Sequence, residues 1–282
     1  MKTITNKALK IAIQGYAGSF HQQAAEQYYH QPVEIIACPS FTAMVQATCD
    51  PMVCDEGVMA IENSIAGSIL TNYQLLEEAG LSIVGEVYIQ IGQHLMALPG
   101  TQFKDIKEVH SHPMALLQCR KFFRSHPHIK LMETEDTALS AKNIQENKSN
   151  GVAAVAGELA AQIYDLEIVE KHIETVRNNY TRFLILSRDP DQGEWPHCNK
   201  ASLHFNLKHK PGSLVEALQL IASEGVNLSK IQSVPVIEKE WQYSFHLDLE
   251  FEHFSSFTAV TDKLKPISES LKILGVYKNG KA

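Results

Sequence analysis

Between Val176 and Ile185 the chain runs Val-Arg-Asn-Asn-Tyr-Thr-Arg-Phe-Leu-Ile. The hydroxyl of Thr181, the amides of Asn178 and Asn179 and the guanidinium of Arg182 therefore stand at the mouth of an apolar strand. Polar groups are costly to hold there unless they are used, which points to a site. A plainer reading competes: asparagine pairs form turns, and Arg182 is a solvated charge or a structural partner for an acid such as Glu62. Asn63 and Ser64 follow the apolar run Gly57 to Ile61, at the strand end where α/β proteins gather ligands. They offer neutral donors, and either one could instead cap the helix expected from Ser68. The Gly15-x-x-Gly18 turn is by itself a weak sign of anion binding. His110 and His112, like His126 and His128, are spaced i, i+2 with no third ligand in a metal pattern, so no metal is expected.

The whole chain of 282 residues exceeds what one core usually serves, so two or three domains are expected. An apolar fraction of 44% with 20% charged residues is ordinary for a globular protein. The formal net charge of −7, without a basic block, argues against nucleic acid or an anionic membrane as partner. A small anionic substrate would need local positive charge, for which Arg182 and Arg177 are the obvious suppliers. The first ten residues carry three lysines but no signal-like apolar stretch, and no segment reaches the roughly 18 apolar residues of a membrane span. Five cysteines without Cys-x-x-Cys spacing fit a reducing compartment, so a cytoplasmic protein is expected.

The elements that must position these groups alternate. Strands are expected at Leu9 to Gln14, Val33 to Ala37 and Gly57 to Ile61, and helices from Gln22, over Phe41 to Ala47 and over Ser68 to Ala79, giving a parallel sheet. Leu81 to Ala97 reads as paired strands. A second βα series follows: strands at Val109, Lys130 to Glu133 and Val152 to Val155, with helices over Met114 to Arg124, Asp136 to Glu146 and Glu158 to Ile163. The strand around Phe183 to Ser187 comes last. Two similar α/β lobes emerge.

Asp189 to Pro196, with two prolines and a glycine, reads as a linker. Beyond it the pattern is strand Ala201 to Lys208, helix Ser213 to Glu224, strands Asn227 to Val236 and Gln242 to Phe251, helix Phe254 to Leu271 and strand Ile273 to Tyr277. That order, βαββαβ, is ferredoxin-like.

Several segments, in this order along the chain, resemble the motifs of prephenate dehydratases. They are Gly15-Tyr16-Ala17-Gly18-Ser19-Phe20-His21, Ile61-Glu62-Asn63-Ser64 with Gly67, Ser111-His112-Pro113 with Ala115, Leu116 and Gln118, Asp136-Thr137-Ala138, the small residues Ala153 to Ala156, and Thr181-Arg182-Phe183 behind Asn179. The resemblance covers nearly the whole catalytic region. It departs in the glycine turn, where Tyr16 replaces a proline, His21 a serine, and Ser19 the family's threonine. It implies a fold like that of periplasmic binding proteins: a catalytic domain over residues 8–188, with lobe 1 about 8–90 and 178–188 and lobe 2 about 91–177. A linker at 189–199 and a regulatory domain at 200–282 would follow. The residues before Leu9 are too few for the helical chorismate mutase module of some relatives.

By the same resemblance the substrate is prephenate, whose loss of water and carbon dioxide makes its ring aromatic. Aromatisation drives the reaction, so the protein needs general acid assistance and positioning, without metal or organic cofactor. Thr181 is expected to donate to the leaving hydroxyl, with Asn63 and Ser64 as catalytic partners. Ser19, Ser111, His112, Gln118, Asn179, Arg182 and Phe183 would line the substrate, Arg182 by two parallel hydrogen bonds to a carboxylate and Phe183 by packing as an apolar wall. Arogenate dehydratase, the same chemistry on the aminated substrate, is an open alternative, and a non-catalytic amino-acid sensor is another.

At the first corner of the second region, Pro211-Gly212-Ser213-Leu214-Val215 is similar to the Gly-Ala-Leu-Val signature of ACT domains. Gly212 permits close approach, and free amides at a helix start receive a carboxylate; a simple helix N-terminus is the alternative. The family's second effector motif, Glu-Ser-Arg-Pro, aligns with Gln232-Ser233-Val234-Pro235, where both charges are gone. L-Phenylalanine is thus the expected effector, bound at Gly212, Ser213, Leu214, Val215, Gln232 and Ser233, in a homodimer or homotetramer formed through these domains.

Overall fold

The computed structural model describes residues 8–189, 197–236 and 242–281. Strands and helices are numbered here in chain order. Most of the linker expected at 189–199 lies outside the described residues.

The first sheet holds β1 (Lys10–Gln14), β2 (Glu34–Cys38), β3 (Glu56–Asn63), the short β4 (Gly67–Ser68), β5 (Ser82–Gln90) and, from much later in the chain, β11 (Tyr180–Ser187). Its order is β2-β1-β3-β11-β5. Strands β1, β2 and β3 are parallel, as expected, but β11 enters antiparallel to both β3 and β5, so the sheet is mixed. Helices α1 (Phe20–Tyr29), α2 (Phe41–Cys49) and α3 (Leu70–Ala79) cover it. Phe183, Leu184, Ile185 and Leu186 of β11 are each no more than 2% exposed. Each such side chain contributes roughly 1.5–3 kcal/mol by burial, which anchors the strand and fixes the polar residues at its start.

The second sheet comprises β6 (His94–Ala97), β7 (Glu108–Ser111), β8 (Lys130–Glu133), β9 (Val152–Ala156) and β10 (Glu167–Glu170), in the order β10-β6-β9-β7-β8. Helices α4 (Pro113–Gln118), α5 (Arg120–Arg124), α6 (Thr137–Asn147) and α7 (Glu158–Ile163) belong to it. Two expectations are corrected. The segment Leu81 to Ala97 does not form a strand pair: β5 and β6 lie in different sheets, because the chain crosses between lobes there. Strand β10 was not expected; it closes the second sheet beside β6.

The third sheet has β12 (Lys200–Leu207), β13 (Asn227–Pro235), β14 (Tyr243–Glu250) and β15 (Ser268–Tyr277), antiparallel and ordered β13-β14-β12-β15, with α8 (Ser213–Ser223) and α9 (Phe254–Leu264) on one face. This is the ferredoxin-like arrangement. The helix expected to run to Leu271 stops at Leu264, just before Pro266, whose ring cannot continue the hydrogen-bond ladder.

Alternation places Ala201, Leu203, Phe205, Leu247 and Leu249 under the helices. The intervening Lys200, Ser202, His204, Ser244, His246 and Asp248 look solvent-facing in sequence, yet each is at most 6% exposed. They are covered by the first lobe. Strand β15 runs against β5 so closely that a Cβ on Gly275 would lie 2.0 Å from the Ile83 carbonyl oxygen.

The two α/β lobes are joined by two crossing segments that touch. Ile91 N donates to Asn179 O at 2.8 Å, and Ile173 N to Gln93 O at 2.9 Å. The glycine turn of the first lobe also meets the second. A Cβ on Gly18, at φ +86°, would come within 2.8 Å of Ala160 Cα, and Tyr164 donates its hydroxyl to Ala17 O at 2.7 Å.

Candidate active site at the start of the returning strand

Register brings Thr181, the second residue of β11, opposite Asn63, the last residue of β3. The Asn63 side chain then works at both ends. Its Oδ1 accepts from the amides of Ile65 and Ala66 at 3.0 and 2.9 Å, forming the turn out of β3. Its Nδ2 faces Asn179 Oδ1 at 2.7 Å, Thr181 Oγ1 at 3.0 Å and Tyr180 O at 3.3 Å. Ser64 completes the cluster, accepting from Tyr180 N at 2.9 Å and donating to Asn179 Oδ1 at 3.4 Å. Asn63 and Ser64 therefore tie the turn to β11 and do not cap α3, whose N-cap is Ile69 without a side-chain bond.

Two donors are left over. Because Thr181 Oγ1 accepts from the Asn63 amide, its own proton is free to donate outward, and the residue is partly exposed. Asn179 is 1% exposed and its Nδ2 has no partner among the described residues. A buried donor without a protein partner costs free energy, so this amide is available to a ligand or a water.

The other expected residues separate. Gln118 reaches the hinge, accepting from Gln93 Nε2 at 3.3 Å while its carbonyl receives Thr175 N at 2.8 Å. Ser111, fully buried, donates to Val155 O at 2.6 Å. His112 caps α4, its Nδ1 accepting from Met114 N at 3.2 Å. Ser19 caps α1, accepting from Gln22 N at 3.5 Å. Phe183 is in the core, with the His21 ring edge-on at 4.9 Å. Burial holds the His21 imidazole neutral, its pKa down to about 4.

Arg182 is a correction. It is 5% exposed and lies on the opposite face of β11 from Thr181, as alternation requires. Its Nε donates to Glu86 Oε2 at 2.6 Å, its Nη1 to Asp248 and its Nη2 to the Tyr277 hydroxyl at 3.0 Å. Neither a substrate carboxylate nor Glu62 is its partner; Glu62 pairs with Lys230. Lys200 adds bonds to Glu86 at 2.9 and 3.0 Å, and Ser202 donates to Asp248 at 2.5 Å. Burial alone would raise the Asp248 pKa, but Arg182, Ser202 and Lys200 together hold it below the usual carboxylate range.

Positive charge near the turn that follows Asn63 comes from elsewhere. A cavity of about 370 Å³ opens next to the Asn63 turn, lined by Ile65, Gln118, Thr175 and the cations Arg120, Lys121 and Arg124. The run Arg-Lys-Phe-Phe-Arg was the available signal, three cations on one short helix. A larger cavity, about 610 Å³, lies on the Arg182 side, but there Glu86, Asp248 and Glu62 already neutralise Arg182, Lys200 and Lys230. The candidate site is therefore placed at Thr181.

At the Gly212 corner the backbone is left-handed, φ 86°, and a pocket of about 460 Å³ lies beside it, lined by Leu207, Lys208, Pro211, Ser213, Leu214 and Tyr243 among others. Ser213 is turned inward, donating to Lys208 O at 2.8 Å, while Val215 is 57% exposed. Ser233 pairs in register with Phe245, another residue of that pocket, and Gln232 Nε2 bonds Ser233 O at 2.9 Å.

Two α/β lobes joined at a hinge, a polar cluster at that hinge and a ferredoxin-like third unit define a two-lobed α/β enzyme with an appended sensor-like fold. A model of the prephenate dehydratase family matches residues 11–191. The chain is 36% identical over 281 residues to the chloroplastic arogenate dehydratase/prephenate dehydratase 2 of Arabidopsis thaliana, covering 95% of this chain and 72% of that one. Among solved structures, the prephenate dehydratase of Arthrobacter aurescens in complex with L-Phe aligns with a TM-score of 0.85 and 27% identity, covering 96% of this chain and 90% of that one. GqqA, described as a novel type of quorum quenching acylase, aligns with a TM-score of 0.87 and 32% identity, covering 96% and 98%. The chain belongs to the prephenate dehydratase family and is a carbon–oxygen lyase. Among the described residues no helix is long and apolar enough to cross a membrane.

Proposed function

We propose that this protein converts prephenate to phenylpyruvate with Thr181 as the hydrogen-bond donor to the leaving hydroxyl. The observation that carries this is the 3.0 Å bond from Asn63 Nδ2 to Thr181 Oγ1, which uses one lone pair of the threonine oxygen and leaves its proton to donate. A threonine hydroxyl is a weak acid, so its contribution is a preorganised bond that strengthens as the departing oxygen gains charge. The bond from ring to carboxylate breaks and releases carbon dioxide, its electron pair enters the ring, and the hydroxyl on the far side leaves as water with the proton of Thr181, which is replaced from solvent. Asn63 and Ser64 hold the threonine, the unpartnered amide of Asn179 receives a substrate oxygen, and Arg120, Lys121 and Arg124 draw in the dianion. Gln118, Ser111, His112 and Ser19 act through the helix starts and hinge that they fix.

Arogenate is the competing substrate, since one relative is named for both activities. Formation of phenylpyruvate from prephenate and of phenylalanine from arogenate, measured side by side, decides between them; a larger kcat/KM for arogenate overturns the assignment. Absence of turnover with either would leave the amino-acid sensor as the reading.

The division of labour we propose is a catalytic domain at 8–188, with lobes at about 8–90 with 178–188 and at 91–177, a linker at 189–199 and an ACT domain at 200–282. L-Phenylalanine would bind at the Gly212 corner and bias the lobes toward a less active closure. Support comes from the pocket beside Gly212 and the relative bound to L-Phe. Strand β13 forms an edge of the third sheet with Ile231 exposed, and pairing of such edges would make the homodimer, or a homotetramer. If saturating L-phenylalanine alters neither turnover nor melting temperature, the effector assignment fails. Among the described residues the five cysteines form no disulfide, which is consistent with a cytoplasmic protein.

A further inference from the structure

On the polar face of the third sheet, His204 of β12 and His246 of β14 are cross-strand partners. Their rings lie 4.6 Å apart, and Glu77 of α3, from the first lobe, brings Oε1 to 3.4 Å from His204 Nδ1. One ligand atom from each of the three residues lies within 4.8 Å of the other two.

Both histidines are 3% exposed, and His204 Nε2, His246 Nδ1 and His246 Nε2 have no hydrogen-bond partner among the described residues. The Tyr73 ring stands edge-on to His246 at 4.8 Å. Buried polar atoms are nearly always paired, and so many orphans in one place require a missing partner.

We infer that Glu77, His204 and His246 bind a zinc ion that staples helix α3 of the first lobe to the third sheet. Two imidazoles and a carboxylate form a set that zinc takes in tetrahedral coordination, with water as the fourth ligand. Binding requires neutral imidazoles, the form that burial of both rings favours. The Glu77 side chain is 40% exposed and provides the way in. Lys272, the cation that acts on both Glu77 and His204, donates to the Glu77 backbone carbonyl at 2.8 Å.

The test is titration of the full chain, stripped with chelator, with zinc followed by calorimetry and with cobalt(II) followed by its visible absorption. The expected result is one ion per chain, a tetrahedral cobalt spectrum without a thiolate band, and a melting temperature higher by roughly 5 °C at about 100 times Kd. Glu77→Gln changes a half-exposed side chain and leaves folding intact; it should weaken binding by at least the ~10–100-fold that loss of even an outer partner costs. His246→Asn and His204→Asn should abolish binding. Absence of saturable binding, a thiolate band, or unchanged affinity in Glu77→Gln and His246→Asn overturns the inference.

Discussion

The Asn63 side chain bonds both the turn that follows it and the start of β11, so its loss should cost more than one bond. Asn63→Ala removes both the turn out of β3 and the donor to Thr181, and kcat should fall at least about tenfold, approaching the ~10²–10⁴ of a lost proton-transfer group. Steady-state assay beside circular dichroism separates this from unfolding. His21 gives a pH signature. Its folded pKa, about 4, lies below the unfolded value near 6.5, so the unfolded chain takes up the proton first as pH falls. The stability this neutral ring provides is complete above about pH 6.5 and drains away toward pH 4. Between pH 7 and pH 5 the loss should be on the order of 1 kcal/mol, after allowance for partial exposure, and denaturant melts of wild type against His21→Leu would read it as a steeper slope in the wild type than in the variant. At this scale the sequence was informative: Thr181, Asn63, Ser64 and Asn179 all sit at strand ends, and strand-end polar residues are easily read. That Ser111, His112 and Ser19 spend their polar atoms on a carbonyl and two helix caps was not, because capping is settled by local geometry.

Strand β11 divides its labour between faces. Thr181 turns to the hinge and Arg182, one residue on, to the third sheet. The period of two was visible in the sequence, but the acids waiting for Arg182 come from Glu86 and Asp248, 96 and 66 residues away. Arg182→Ala leaves Asp248 buried without its ion-pair partner and Glu86 with Lys200 alone, and a loss of about 3–5 kcal/mol is expected. Equilibrium unfolding measures it, and a loss under 1 kcal/mol would show the network to be dispensable. Gly275 is the matching device on β15. Gly275→Ala forces β15 off β5 and should cost about 1–3 kcal/mol, as overpacking does. The sequence could not reveal this: a glycine in a strand marks close approach without naming the neighbour.

In the whole molecule, the third sheet is welded to the first lobe through the polar face of β12 and β14. Lys-Ala-Ser-Leu-His-Phe-Asn-Leu alternates as a half-solvated strand would, so sequence reading gives the fold of the unit and misses that its wet face is covered. The crossing from β5 to β6 escaped for a similar reason, since two apolar strands in succession look like a pair until the sheets are seen to differ. Anything that perturbs the third sheet reaches β11 through Arg182, and β11 carries Thr181. The account therefore rests on that one hydroxyl, and single-turnover formation of phenylpyruvate by Thr181→Val tests it most directly. With the fold and L-phenylalanine binding retained, the rate should fall about 10²–10⁴-fold from wild type; a rate within a few-fold of wild type would contradict it.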